Sequence, residues 1–161
     1  MTTSTITAPT AHTVFAADGE RLWIVGDTMI IKATAATTGG ALTLLEIEAS
    51  PGAGPPPHVH DNEDEAFYVV DGTFEILLGE EIVRAGAGDF AFVPRGTVHR
   101  FSNVGDAPAR MLIAFTPGGL EGFFRVAGTP ATGDGPPQRT DAAEIARTEA
   151  AAPDYGLRIA V

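Results

Sequence analysis

The amino-acid sequence predicts an all-β protein, an antiparallel sandwich or barrel. Nine short apolar stretches of strand length recur between Arg21 and Phe115. The breaks between them hold glycine, proline, aspartate or asparagine, the residues that turns require. No helical stretch separates the strands, which argues against alternating βαβ units. At 161 residues the chain has the length of one domain, enough to bury roughly 70% of the surface its unfolded form exposes.

The Thr/Ala-rich start, residues 1–18, is expected to be a flexible, frayed segment. RLWIV (21–25), MIIKA (29–33) and ALTLLEIEA (41–49) are the first candidate strands. EAFYVV (65–70) and TFEILL (73–78) flank Asp71-Gly72, a strong hairpin signal because a tight turn needs the positive φ that glycine tolerates. These two strands are expected to pair antiparallel. In TFEILL, Phe74, Ile76 and Leu78 share one face and Glu75 the other. EIVRA, DFAFV, HRFSN and ARMLIAF complete the set. GLEGFFRVAG reads as a short helix, and residues 128–139 as a Gly/Pro-rich loop. Residues 140–161 hold a helix, DAAEIARTEAAA, with Asp141 as N-cap and Glu144 at its third position, and a tail, YGLRIAV, that is a strand or packs as a tail.

Composition limits the function. The absence of cysteine removes disulfides, thiolate metal sites and cysteine nucleophiles, so any metal must be held by nitrogen and oxygen. Ten basic against twenty-one acidic residues give a net charge of −11, which repels phosphate backbones and anionic lipid surfaces. Nucleic acid is therefore not an expected partner, and neither is a membrane, since no apolar run approaches the ~20 residues of a spanning helix. No basic residue precedes Arg21 and no apolar signal core follows the first methionine, so a cytoplasmic location is expected.

The stretch PGAGPPPHVHDNEDEAFYVVDG, residues 51–72, holds two of the four histidines. In an extended segment His58 and His60 point to one side and can reach a single ion. Taken alone, such a pair is as readily two loop histidines behind a proline run. Glu65 opens the next strand and can bring a carboxylate oxygen to the same ion, whereas Glu63 and Asp64 read as a solvated acidic run. His99 lies far along the chain, at a strand start behind a turn, and by itself is a core or surface histidine as easily as a ligand. His12, in the polar start, is given no metal role.

Together these residues form two patterns. Gly52, His58-x-His60, Glu65 and Gly72 make the first, and Gly88, Pro94-x-Gly96, His99 and Asn103 the second. Both resemble the two signature motifs of the cupin superfamily, with every motif position filled. The segments GGALTLLEIEASPGAGPPPHVH and FTPGGLEGFFRVAG are further similar to bacterial single-domain cupins grouped with quercetin 2,3-dioxygenases. The resemblance implies a cupin double-stranded β-helix, a small jelly-roll barrel over residues 19–127 with short C-terminal helices. It also implies one divalent transition metal ion held by His58, His60, Glu65 and His99. Iron, manganese, nickel, cobalt and zinc all accept such ligands. Three imidazoles and a carboxylate leave positions open on a five- or six-coordinate ion, and open positions allow chemistry.

Strand parity places Phe67 and Val69 on the side of Glu65, and Phe101 on the side of His99. With Phe90 and Phe92, these are the candidate walls of an apolar substrate chamber, although small barrels also fill their interiors with such side chains. Trp23, Tyr68 and Phe74 read as packing, Asp89 and Asn103 as turn and strand-end residues, and Arg95 as an ion-pair partner or pocket rim. The expected function is a metal-dependent dioxygenase acting on a hydroxylated aromatic or flavonol-like small molecule with O2, with Glu65 as catalytic base. The alternatives are a polyketide-type cyclase or isomerase that uses the metal as Lewis acid, and a cupin that binds a small molecule without catalysis. A homodimer is expected, with the apolar N-terminal strands offering an edge to share.

Overall fold

A computed structural model of the chain describes residues 8–133 and 140–160. Residues 1–7 of the frayed start expected at 1–18, and residues 134–139 of the Gly/Pro-rich loop expected at 128–139, lie outside the described residues. The strands are β1 Glu20–Ile24, β2 Asp27–Ala33, β3 Thr43–Ala49, β4 His58–His60, β5 Asp64–Asp71, β6 Thr73–Leu78, β7 Glu81–Gly86 and β8 Phe90–Val93. They continue with β9 His99–Asn103, β10 Ala109–Thr116, β11 Thr129–Pro130 and β12 Leu157–Ile159. Two antiparallel sheets form, one in the order β11-β1-β2-β3-β10-β5-β8 and the other β12-β4-β9-β6-β7. This is the expected double-stranded β-helix. All nine predicted strands are present, and YGLRIAV supplies β12.

The core lies between the sheets. In β3, Leu45, Ile47 and Ala49 are fully buried while Glu46 and Glu48 point outward to Arg110 and Arg21. Phe67, Phe74, Ile76, Met111, Ile113 and Phe115 fill the same interior; burying each such side chain is worth about 1.5–3 kcal/mol. Asn103 closes its strand as expected: its amide donates to the carbonyls of Ala49 and Ala107. Tyr68, by contrast, is half exposed on the outer face.

Two local expectations are corrected. A four-residue helix, α1 Ala35–Thr38, sits between β2 and β3. Thr34 caps it by accepting from the Thr37 N–H, and Gly39 ends it in the left-handed region; four residues are too few to show a helical period. The second correction concerns Asp71-Gly72, which does not close a hairpin. β5 pairs with β10 and β8, β6 with β7 and β9, and the dipeptide is the corner where the chain passes from one sheet to the other. Gly72 has φ +83°, and a Cβ there would lie 2.4 Å from that of Ala109. The true two-residue turns are Gly79-Glu80, between paired Leu78 and Glu81, and Val25-Gly26, between paired Ile24 and Asp27.

The segment after β10 is built into the barrel. Helix α2 is Glu121–Ala127, and α3 is Ala142–Ala151 with Asp141 accepting from the Glu144 N–H at 2.7 Å. Buried Glu121 accepts from the backbone of Ala35 and Gly119 and from the Thr43 hydroxyl. Glu144 accepts from the Val25 N–H at 2.6 Å. Val25, a β-branched residue at φ 47°, is thereby held in a conformation such residues rarely adopt. No described helix is long and apolar enough to cross a membrane.

The corner at Gly72 sets a stability prediction. Gly72→Ala combines an unfavourable φ with the contact on Ala109 and should lower unfolding free energy by about 1–3 kcal/mol, read from urea denaturation. An unchanged midpoint would mean that the corner is not constrained as described.

Candidate metal centre

Strand β4 is buried along its whole length, flanked by β12 on one side and β9 on the other. Residues two apart in a strand share a face, which aims both imidazoles of β4 inward. His58 lies directly opposite His99 in the register, and His60 opposite Leu157. His99 is set up by the turn at Pro94–Thr97: Gly96 has φ +84°, the Thr97 N–H donates to the Pro94 carbonyl, and the Gly96 N–H donates to the His60 carbonyl. Arg95, in that turn, forms a two-pronged ion pair with Asp64, so it is the ion-pair partner rather than a pocket wall. Glu65 comes from β5 in the facing sheet. Thus one sheet supplies three imidazoles and the other the carboxylate.

His58, His60, Glu65 and His99 each offer a donor atom, and these atoms lie within 4.8 Å of one another. His58 Nε2 is 3.2 Å from His60 Nε2, His60 Nε2 is 3.2 Å from Glu65 Oε2, and His99 Nε2 is 2.5 Å from Glu65 Oε2. Separations near 3 Å are those of ligand atoms each about 2.0–2.2 Å from one shared ion. The ring tautomers agree. His58 Nδ1 donates to the Pro56 carbonyl at 2.9 Å and His99 Nδ1 to the Thr97 carbonyl at 2.8 Å, which leaves each Nε2 with a lone pair facing inward. His12 is exposed and remote from this group.

Electrostatics supports the same conclusion. Burial by itself pushes the Glu65 carboxyl up, but the imidazoles of His60 and His99 beside it outweigh that and pull it well below the usual range. Burial pushes His60 down, yet Glu63 and Glu65 outweigh that and raise it. His58 falls to about 4, chiefly through burial. The carboxylate and the ring nitrogens facing it are out of water, and the described cavity wall contains no lysine or arginine. A divalent cation fits both the charge and the donor set.

Sequence reasoning missed Glu63. It is 7% exposed rather than solvated, and its Oε2 lies 3.7 Å from His60 Nδ1, an ion-pair distance on the far side of that ring from Glu65. The acidic run NEDE hides it, since burial of one member has no local signal. Asp64 is likewise engaged, by Arg95.

The four donors sit beside an apolar cavity of about 140 Å³. Its wall includes Met29, Pro55, Pro56, Phe101, Ile113 and Phe115 from the barrel, Phe123 and Phe124 from α2, and Ile145, Ala152, Leu157 and Ile159 from the C-terminal segment. Of the five expected chamber residues, Phe101 lines this space. Phe67 is fully buried behind it, its ring 6.2 Å from His99 and 5.9 Å from Phe101, and Val69 lies deeper in the core; neither reaches the cavity wall. Phe90 and Phe92 are 65% and 54% exposed on the outer face of β8, so the chamber expectation is corrected for both. In that edge strand Val93 points inward, which turns 90 and 92 toward solvent.

Comparison with known proteins agrees with this architecture. Residues 45–115 match the cupin domain. Tetracenomycin polyketide synthase protein TcmJ of Streptomyces glaucescens is 34% identical over 74 residues, which cover 46% of this chain and 50% of that protein. Quercetin 2,3-dioxygenase of Aspergillus japonicus is 34% identical over 106 residues, covering 62% of this chain and 30% of that protein. This chain thus spans half or less of the length of those relatives. Among solved structures, KdgF from Halomonas sp. superposes with a TM-score of 0.63 at 24% identity, covering 70% of this chain and 98% of that one. A jelly-roll barrel with converging imidazoles and a carboxylate defines a metal-binding type of cupin architecture. The chain is thus similar to the cupin superfamily over residues 45–115 and resembles its quercetin 2,3-dioxygenase-like members.

The position of Glu63 predicts a graded effect. Glu63→Gln should weaken divalent-metal affinity about 10- to 100-fold without unfolding the protein, as measured by competitive chelator titration with circular dichroism as control. Metal added at 100 times its Kd should stabilise the native protein by about 2.7 kcal/mol, seen as a higher melting temperature that a chelator reverses.

Proposed function

We propose that the protein is a metal-dependent dioxygenase acting on a hydroxylated aromatic or flavonol-like small molecule. The observation that carries this reading is the convergence of three imidazoles and a carboxylate at the wall of an apolar, aromatic-lined cavity. His58, His60, Glu65 and His99 are the ligands in this reading, and a bound divalent ion would supply Lewis acidity to a substrate hydroxyl and, where the ion is redox-active, access to O2. The ion is iron, manganese, nickel, cobalt or zinc, a choice that the donor set leaves to geometry and supply.

Each protein group has a part. Glu65, held ionised, accepts a hydrogen bond from the substrate hydroxyl and takes its proton, returning it to the ring-cleaved product that has gained both atoms of O2. Phe101, Phe115 and Phe124 flank the planar ring and keep water from it. The carbonyls of Pro56 and Thr97 fix the orientation of two ligand imidazoles. Similarity to the quercetin 2,3-dioxygenase supports the oxygen-consuming reading.

A second reading, cyclisation or isomerisation of a polyketide-like substrate without oxygen, is favoured by the similarity to TcmJ. Oxygen-electrode assays on protein loaded with each ion, using flavonols and catechols, separate the two. Uptake with at least one pair is expected. Glu65→Gln should keep most of the bound metal yet lose about 10²- to 10⁴-fold in turnover. No uptake with any pair, or full activity in that variant, would sink the dioxygenase reading, and ligand binding without turnover would favour a purely binding role.

A homodimer belongs to the same proposal; β11 pairs with Leu22 and Trp23 and so covers the outer edge of β1 in part. Tyr68, Phe90 and Phe92 form an exposed apolar strip on β5 and β8. Light scattering should give twice the chain mass, falling toward the monomer for Phe90→Glu.

A further inference from the structure

Beyond the metal ligands, the cavity wall contains two acidic side chains, Glu149 and Asp27. Glu149 is exposed on α3, so its solvation needs no partner. Asp27 differs. It opens β2 at 2% exposure, on the same strand face as Met29, which also lines the cavity. Its cross-strand neighbours are Ile24 and Ala49, both apolar. Its Oδ1 has no hydrogen-bond partner among the described residues.

A buried carboxyl without a partner costs stability, and a leucine or valine would complete this wall without that cost. The chain also holds Asp27 firmly in place. It follows directly on the Val25-Gly26 turn, whose left-handed Val25 is fixed by Glu144 of α3. A polar atom buried in an apolar wall, unsatisfied and rigidly placed, is the arrangement by which a pocket reads one group on a ligand.

We propose that Asp27 is the second polar anchor of the cavity, hydrogen-bonding a ring hydroxyl of the ligand remote from the hydroxyl held at the His58, His60, Glu65 and His99 cluster. The inference rests on the aromatic-substrate reading above and adds specificity to it: the cavity selects aromatic molecules that carry more than one hydroxyl. Burial alone lifts the Asp27 carboxyl to about 7. Near neutrality it is therefore available either as an acid that donates or as a carboxylate that accepts, and a hydroxyl satisfies both.

The test is anaerobic calorimetric titration of the metal-loaded protein with 3-hydroxyflavone, galangin and kaempferol. These share the flavonol hydroxyl and differ in further ring hydroxyls. The wild-type protein should bind galangin or kaempferol about tenfold tighter than 3-hydroxyflavone. Asp27→Leu and Asp27→Ala should each remove that preference by weakening the polyhydroxylated ligands. Metal content should stay the same, and the melting temperature of Asp27→Leu should not fall. Asp27→Asn, which keeps an acceptor oxygen, should retain part of the preference. A preference that survives in Asp27→Leu or Asp27→Ala overturns the role of Asp27 while leaving the aromatic reading intact. A wild-type protein that binds none of the three removes the flavonol reading and this inference with it.

Discussion

The interaction on which the structure turns is the meeting of Glu65 with three imidazoles. The carboxylate arrives from one sheet and the imidazoles from the other, so this polar contact spans a mostly apolar interior. Its demand for a positive charge is local and strong, because both oxygens and rings are out of water. The surrounding structure serves that contact. The Pro94–Thr97 turn aims His99, carbonyls two residues upstream hold the rings of His58 and His99, and Glu63 stands behind His60. The site and the packing of the barrel are one arrangement.

The C-terminal segment changes the character of the barrel mouth. Without α3, the Ala152–Tyr155 turn and β12, the cavity would lack the wall formed by Ile145, Ala152, Leu157 and Ile159. With them, the donors face a space that is mostly apolar and shielded. Lower local polarity strengthens each hydrogen bond and ion contact made there. The same segment is tied to the β1–β2 turn through Glu144, so the wall that carries Asp27 and the wall that carries Ile145 are mechanically joined.

Much of this was legible in the sequence, for identifiable reasons. Alternation in TFEILL and in TLLEIEA reports directly on two faces, and the buried Phe74, Ile76, Leu45 and Ile47 follow from it. The convergence of His58, His60, Glu65 and His99 was legible because their spacing, together with the glycines and proline around them, forms a pattern rather than isolated histidines. What was not legible depends on partners distant in sequence. Asp71-Gly72 has the local chemistry of a hairpin, and only the pairing of β5 with β10 shows it to be a corner. Phe90 and Phe92 were placed in the chamber by their nearness to the Pro94–Thr97 turn, and only the inward Val93 shows that they face solvent. Asp27 reads as a turn aspartate in VGDT, and nothing nearby reveals that its surroundings are apolar.

The pairing of β12 with β4 has a consequence for how the molecule comes into being. Two of the four donors lie on a three-residue strand, and one of its lateral partners is made roughly a hundred residues later. As synthesis proceeds, the outer edge of that strand stays bare long after the jelly roll around it has been laid down, and long-separated contacts of this kind close late. Until that segment is made, the strand that carries His58 and His60 lacks one of its two neighbours, so the setting of these two donors depends on the far end of the chain.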